Sequence, residues 1–291
     1  MRVSRPGLRG RLGDALFRGV AGPGGPENRR RVHGTPGPRW FAADRPIRVV
    51  HGDAAMFPGG LSALLLQSLH PLAMTAVAAH SDYRHDPWGR LARTSTFLAY
   101  TTYGTADDAQ RAVDRVRSVH EAVRGRTAGG EAYHASDAHL LAWVHAAEVY
   151  CFLTAHQRYG ATPLDAAGQD GYVADMATVG AALGVEDPPL TFAELTERLD
   201  AYRPELHATE QARDAVGYVL LRPPLPRPLL PAYLVLGAAS VALLPDWARD
   251  HLGLPVLPRA ERWCVRPAGA AVTRLIRWVL PPPPPARVHH A

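Results

Sequence analysis

The feature that most constrains the fold of this chain is a succession of segments in which apolar residues recur every three or four positions. Such spacing puts apolar side chains on one face of an α-helix. No convincing series of alternating apolar and polar residues, which would indicate β-strands, runs through the chain. The sequence therefore predicts an all-α fold. The clearest segment ends before Gly160 and carries apolar residues at Leu140, Leu141, Val144, Ala147, Cys151 and Ala155.

Polar residues at the starts of these segments predict where several helices begin. Thr105 precedes a predicted helix that runs to about residue 124, and either Ser136 or Asp137 caps the one that ends before Gly160. Thr191 and Glu194 form a capping-box pattern at another start. Residues 60–80 are apolar nearly all round and predict a buried central helix, which Pro71 can kink.

Composition favours a folded protein without a disulfide framework. Of 291 residues, 47% are hydrophobic and 20% are charged, which favours a folded chain over a mostly disordered one. Two cysteines are too few to form a disulfide framework in a chain of this length. The N-terminus lacks a continuous apolar stretch, and the apolar segments are interrupted by polar residues and prolines, so we expect no signal peptide and no transmembrane segment. The expected location is cytoplasmic.

Charge and proline content divide the chain into three parts. Residues 1–45 are predicted to be a basic, partly ordered arm rich in Gly, Pro and Arg, residues 46–280 one large multi-helix domain, and residues 281–291 a Pro-rich tail. All 32 basic residues other than histidine are arginines. A solvated arm is the favoured interpretation, although weak contact with a membrane surface stays open. Aromatic residues do not alternate with these arginines, so no nucleic-acid partner is expected.

His120 is the most informative candidate for chemistry. It follows Val116 by four residues and precedes Val123 by three, which places it on or beside the apolar stripe of its predicted helix. A histidine that faces a core can be a structural residue, a metal ligand or a base. From this position alone, the structural interpretation is favoured.

A second candidate group is Arg90, Arg93 and Thr94, which share one face of a predicted helix beside Phe97 and Leu98. Two arginines beside an apolar stripe are costly to bury unless an anion accompanies them. Carboxylates, a phosphate or haem propionates would serve, whereas a partly exposed pair would make ordinary surface ion pairs.

Other histidines are weaker candidates. His145 and Glu148 lie three apart on one helix and could bind a metal, but a di-iron bundle needs several such helices. His70 and His80 lie in or at the end of the apolar segment and could act as bases or be core residues. Dinucleotide, P-loop, nucleophile-elbow and paired-cysteine motifs are missing from the sequence.

Taken in order, the motifs over residues 46–280 resemble the MpaB and rubber-oxygenase family, haem b proteins that include the latex clearing proteins. The ordered series is specific, although each piece alone is weak. The motifs are Leu64-Leu-Leu-Gln67 with His70-Pro71, Asp86-Pro-Trp-Gly-Arg90-Leu-Ala-Arg93-Thr94, Arg117-Ser-Val-His120, Tyr133-His-Ala-Ser-Asp137, Leu141-Ala-Trp143-Val-His145 and Leu244-Pro-Asp-Trp247-Ala-Arg249.

The resemblance implies roles for particular residues. His120 matches the proximal haem ligand, and Arg90 and Thr94 match residues of the distal side. Arg93 replaces the lysine of rubber-cleaving members; a guanidinium stays protonated, so it would donate hydrogen bonds to dioxygen, a propionate or substrate. Rubber-cleaving members also use an upstream glutamate as a base. Residues 61–80 contain neither Asp nor Glu, so a base, if one is used, would be His70 or His80.

The functional prediction is therefore a haem b-dependent oxygenase, an oxidoreductase that acts with dioxygen on a hydrophobic small molecule in a haem pocket between helices. His120 would hold the iron, with Arg90 and Arg93 near the haem or oxygen and Thr94 at the distal face. Alternatives are a non-catalytic haem carrier or sensor, a helical interaction protein with a basic arm, and a non-haem iron enzyme.

Overall fold

The computed structural model describes residues 7–280, and these residues confirm the predicted all-α class. The polypeptide folds into helices joined by short loops, with 3₁₀ turns at Arg203–Glu205 and Arg227–Leu229 and a π-helical turn at Glu261–Val265. The helices are α1 (Leu8–Ala21), α2 (Gly25–Gly34), α3 (Pro46–His51), α4 (Met56–Gln67), α5 (Pro71–His80), α6 (Pro87–Tyr103), α7 (Ala106–Ala122), α8 (Ala138–Tyr159), α9 (Ala166–Leu183), α10 (Phe192–Tyr202), α11 (Glu210–Leu221), α12 (Leu230–Val241), α13 (Asp246–Leu252), α14 (Pro258–Ala260) and α15 (Arg266–Val279).

Helix α8 forms the centre of the core. It packs most extensively on α4 and also contacts α9 and α10, and both Trp143 and Leu153 on it are fully inaccessible to solvent. Its start is fixed by Asp137, whose carboxylate accepts hydrogen bonds from the backbone amides of His139 and Leu140 at 2.9 and 3.2 Å. A local capping bond and a long apolar segment thus produce the central helix at the predicted place.

The prediction of one buried helix over residues 60–80 is wrong in one respect. The segment forms two helices, α4 and α5, which meet at an angle of 109°. His70 adopts an extended conformation with φ −84° and ψ 114°. The ring of Pro71 disfavours helical geometry in the preceding residue, so the chain turns sharply rather than kinking.

One small sheet interrupts the helices between α7 and α8. Strand β1 (Arg124–Arg126) pairs antiparallel with β2 (Ala132–His134), with Gly125 opposite Tyr133. Strands of three residues are too short to give a detectable alternation, which explains why the sequence did not predict them. The hairpin packs on α5 and contributes to a pocket described below.

Part of the predicted basic arm is helical. Helix α1 packs on α6 and α15, and α2 packs on α6, where Val32 is buried. Apolar residues are sparse in α2, so its periodicity is weak in the sequence, whereas α1 carries Leu12, Leu16 and Val20 at helical spacing. The predicted Pro-rich tail, residues 281–291, lies outside the described residues.

Between residues 7 and 280 no single helix has the length and apolar character needed to cross a bilayer. Two sharply bent pairs pass that test only when both helices are taken together, Met56–Gln67 with Pro71–His80 and Arg227–Val241 with Asp246–Leu252.

Candidate active site

Helices α6 and α7 form a tight helical hairpin that carries all four residues predicted to serve the site. Gly104 and Thr105 alone connect the helices, which pack against each other. Thr105 caps α7 as predicted, because its hydroxyl accepts a hydrogen bond from the Asp108 amide at 3.2 Å. Arg90 lies 13 residues before the end of α6 at Tyr103, and His120 lies 14 residues after the start of α7 at Ala106.

These nearly equal separations place Arg90 and His120 at nearly the same height above the connection between α6 and α7. An α-helix rises about 1.5 Å per residue, so the two backbone positions differ in height by about that amount. Arg93 and Thr94 lie one turn closer to the connection on α6. The predicted residues therefore share the open end of one hairpin, although they are far apart in the sequence.

The imidazole of His120 is half-buried, and one of its ring nitrogens lacks the hydrogen-bond partner that a buried polar atom usually has. Its Nδ1 is buried and makes no hydrogen bond within residues 7–280. Burial lowers the pKa of His120, so the ring is neutral at pH 7. A neutral imidazole with an unused ring nitrogen can accept a proton or bind a transition metal.

Arg90 carries a positive charge, in contrast to the neutral imidazole of His120. Its guanidinium is partly buried and donates a hydrogen bond to the Ser81 hydroxyl at 2.8 Å, and no carboxylate pairs with it in the described part of the chain. Burial, with a contribution from Arg93, lowers the pKa of Arg90. A partly buried cation without an anion favours a negatively charged ligand at this position.

Arg93 and Thr94 lie on the exposed side of α6. The Arg93 side chain is 65% exposed and pairs with Asp86 at 3.2 Å, and Thr94 is also exposed. Large apolar side chains are exposed on the same two helices, at Trp88, Leu91 and Val119. The hairpin thus carries an exposed arginine, an exposed hydroxyl and exposed apolar side chains, in addition to the half-buried Arg90.

A pocket of about 800 Å³ lies beyond the end of α7. The β1–β2 hairpin, Leu72 of α5 and the first turn of α8 line it. Tyr133 from this wall is hydrogen-bonded through its hydroxyl to Nε2 of His80 at 3.1 Å. His120, Arg90, Arg93 and Thr94 do not line this pocket, and neither do they line a second one of about 500 Å³ beside α2.

Three further side chains converge beside the larger pocket. Nε2 of His139 lies 2.7 Å from Oε2 of Glu205, and Nε2 of His70 lies 3.7 Å from the same oxygen. The sequence indicated His70 as a base or core residue but gave no indication of His139 or Glu205. They come from a loop, the first turn of α8 and a 3₁₀ turn, so no local motif could have revealed the group.

Comparison with known protein families gives a match over residues 48–278 to the family described as "ER-bound oxygenase mpaB/B'/Rubber oxygenase, catalytic domain". The chain belongs to this oxygenase family. No curated protein and no solved structure gives a significant match.

The matched part of this MpaB/rubber-oxygenase chain runs from α3 into α15. It includes the α6–α7 hairpin, the β1–β2 hairpin and the His70 group, and it leaves out α1 and α2. The family supports oxygenase activity for the same part of the chain that carries the candidate residues.

The weaker metal candidates lie on α8, where His145 is buried and Glu148 is half-buried. Burial lowers the pKa of His145 to about 4 and raises that of Glu148 to about 7. Gly180 of α9 packs so closely on the His145 ring that an added Cβ would lie 2.7 Å from Cε1. Within residues 7–280, the group of three metal-binding side chains is the one at His70 and does not include this pair.

Proposed function

We propose that this protein is a haem b-dependent oxygenase that acts with dioxygen on a hydrophobic small molecule and holds the haem iron through His120. Membership of the oxygenase family supports the reaction class. The observation that carries the iron ligand is the neutral imidazole of His120 with an unpaired, buried Nδ1. Iron requires an unprotonated ring nitrogen, so this residue suits the role that the family resemblance implies.

The charges around the hairpin suit the same cofactor. Bound haem supplies an iron centre at which dioxygen can be activated. Arg90, which lacks a carboxylate partner within residues 7–280, would neutralise a haem propionate. Arg93 would exchange its exposed contact with Asp86 for a hydrogen bond to a propionate, to dioxygen or to the substrate. The Thr94 hydroxyl would donate a hydrogen bond on the distal side of the haem.

The apolar surface of the site supports a hydrophobic substrate. Trp88, Leu91 and Val119 are exposed on the two helices that carry the candidate residues. Burying such side chains against a ligand is favourable by about 25 cal/mol per Å². A terpenoid, lipid or polyketide has the chemistry that this surface would bind.

The structure adds Glu148 to the two histidines that the sequence offered as a base. His80 is hydrogen-bonded to Tyr133, and His70 is directed at Glu205 and His139. Glu148 is a half-buried acid whose pKa of about 7 would let it exchange a proton near neutral pH. If proton transfer is needed, these three groups are the candidates.

An absorption spectrum tests the cofactor and its ligand. The protein is produced with haem supplied, and haem per chain is measured from the Soret band and by extraction. We expect haem in the wild-type protein and a lost or shifted Soret band in His120→Ala. His251→Ala, which removes an exposed histidine of α13, is the control and should retain the wild-type spectrum. A colourless wild-type protein, or a His120→Ala variant with an unaltered spectrum, would contradict the proposal.

Oxygen consumption separates an enzyme from a haem carrier or sensor. The haem-loaded protein is incubated with a panel of unsaturated terpenoids, lipids and polyketides, and dioxygen uptake and products are followed. We expect uptake with at least one class and its loss in His120→Ala. Haem binding without turnover across the panel would favour the carrier or sensor.

A further inference from the structure

We propose that His70, His139 and Glu205 bind a divalent transition-metal ion of the zinc class, at a site separate from His120 and beside the 800 Å³ pocket. Each side chain offers one ligand atom, and these atoms all lie within 4.8 Å of one another. Two imidazole nitrogens and one carboxylate oxygen are a ligand set typical of zinc and neighbouring divalent metals, rather than of Ca²⁺ or Mg²⁺.

The spacing of the ligand atoms suits a tetrahedral ion. Zinc binds histidine nitrogen and carboxylate oxygen at about 2.0–2.2 Å, which places neighbouring ligand atoms about 3.4 Å apart. Oε2 of Glu205 lies 2.7 Å from Nε2 of His139 and 3.7 Å from Nε2 of His70. The side chains of His139 and Glu205 are partly exposed, so rotation about their side-chain bonds would adjust these distances.

The independent observation that points to a ligand is the state of His70. Its side chain is 4% exposed, and neither ring nitrogen makes a hydrogen bond within the described residues. Leaving buried polar atoms unpaired costs about 1–3 kcal/mol, so such atoms usually have a partner. Nε2 faces Glu205, and a metal ion between them would satisfy that nitrogen.

The surroundings hold the second histidine in place. The Tyr202 hydroxyl donates a hydrogen bond to the backbone oxygen of His139 at 2.7 Å and lies 3.4 Å from Nδ1 of that ring. The two rings pack with centroids 4.6 Å apart. A contact at Nδ1 leaves Nε2 for the metal, which is the usual arrangement around metal-binding histidines.

Exposure leaves room for a fourth ligand. His139 is 53% and Glu205 is 46% exposed, and His139 also lines the 800 Å³ pocket. Three protein ligands with an open fourth position are typical of zinc sites at which water or a small anion binds. The site therefore gives the pocket a position for a water or anionic group.

Zinc binding to the full-length, untagged chain tests the site. Protein stripped with chelator is dialysed against Zn²⁺, metal per chain is measured, and Kd is obtained by competition with a chromophoric chelator. We expect one tightly bound ion per chain and a Kd raised at least ~10–100-fold in His139→Gln and in Glu205→Gln, since even residues behind the ligands contribute that much. Co²⁺ substitution should give the visible absorption of a tetrahedral site, lost in both variants.

A matched control is available at the surface. His85 and Asp82 form a histidine–carboxylate pair at 2.6 Å on exposed side chains, and neither belongs to the three-ligand group. His85→Gln should leave Kd unchanged, and His289 and His290 are present in every variant. Equal zinc binding by wild type, His139→Gln and Glu205→Gln, each folded by circular dichroism, would overturn the proposal, as would a wild-type chain that binds none. The His120→Ala variant should keep its zinc, so this result is independent of the haem proposal.

Discussion

At the scale of single residues, burial sets the charge state of the groups that could take part in chemistry. Burial alone lowers the pKa of His51 to about 3, and with Arg198 nearby it lowers that of His145 to about 4. The same effect raises the pKa of Glu148 to about 7, because a carboxylate loses its hydration in the core. The interior therefore holds neutral imidazoles and an acid that titrates near neutral pH.

Replacing Glu148 should change how stability depends on pH. A carboxyl whose folded-state pKa is raised contributes stability below its unfolded value of 4.5, and that contribution is lost as pH rises through about 7. Glu148→Gln should therefore be more stable than wild type at pH 8 but not at pH 4.5, with a gain of at most about 3 kcal/mol at the rate of 1.36 kcal/mol per pKa unit. Urea unfolding at the two pH values measures the difference. Glu197→Gln, an exposed change on α10, should show no such dependence; an equal gain at both pH values for Glu148→Gln would contradict the assignment.

Single residues also show what the sequence could and could not predict. Caps at Thr105, Asp137 and Thr191 were predictable, because a cap depends on amides two or three residues away. The His70 group was not predictable, because Glu205 reaches His139 across 66 residues and only the tertiary fold joins them. Arg90 and His120 could be identified from the family motifs in the sequence. Their similar height above the connection between α6 and α7 became apparent only from the structure.

At the scale of elements, the close packing of α4 on α8 determines how the core is built. The backbones approach where Gly59 faces Phe152, since a Cβ added to Gly59 would lie 3.3 Å from the Cα of Phe152 and 3.0 Å from the Cβ of Ala155. At Gly60 the nearest atom, Cε1 of Phe152, is 4.0 Å away. Two adjacent glycines therefore have different roles in one interface.

Substitution of each glycine by alanine should give opposite results. Gly59→Ala forces α4 away from α8 and should lower the free energy of unfolding by about 1–3 kcal/mol. Gly60→Ala fits without a clash and should raise it by about 0.5–1 kcal/mol, since alanine restricts the unfolded chain more than glycine. Urea denaturation of both variants measures the difference. Equal stabilisation by the two changes would show that the helices can separate without cost.

The ends of helices were predictable where the local sequence determines them. They were less predictable where tertiary packing determines them. Glycine and capping residues indicated the ends of α6 and α8 correctly. The end of α7 was predicted two residues too late, because α7 ends at Ala122 and residue 124 already belongs to β1. The break between α4 and α5 was underestimated, because a proline after an apolar segment is compatible with either a kink or a turn. In the structure the two helices meet at 109°, and the β1–β2 hairpin packs on α5.

At the scale of the whole molecule, the basic N-terminal segment is attached to the domain by its own arginines. Arg31 pairs with Asp108 at 2.7 Å, and the Asp108 side chain is only 3% exposed. Arg45 forms a similar pair with Asp175, which is also buried. Arg9 donates to the backbone oxygen of Trp278 at 2.7 Å and stacks over its ring. Several positive charges of this segment thus stabilise intramolecular contacts, which weakens the case for an arm that binds an anionic partner.

Removing residues 1–36 should therefore destabilise the whole molecule. The deletion exposes the surfaces of α6 and α15 that α1 and α2 cover, and Asp108 loses Arg31, whose hydrogen bond is the main reason for its lowered pKa. A loss of about 2 kcal/mol or more corresponds to a fall in Tm of at least about 3 °C for a chain of this size. Arg30→Gln, which removes one exposed charge from α2, is the control and should leave Tm unchanged. The opposite result would be an unchanged Tm together with loss of salt-sensitive binding to anionic vesicles or nucleic acid. It would assign the segment to an external partner, because a contact made only with that partner cannot stabilise the isolated domain.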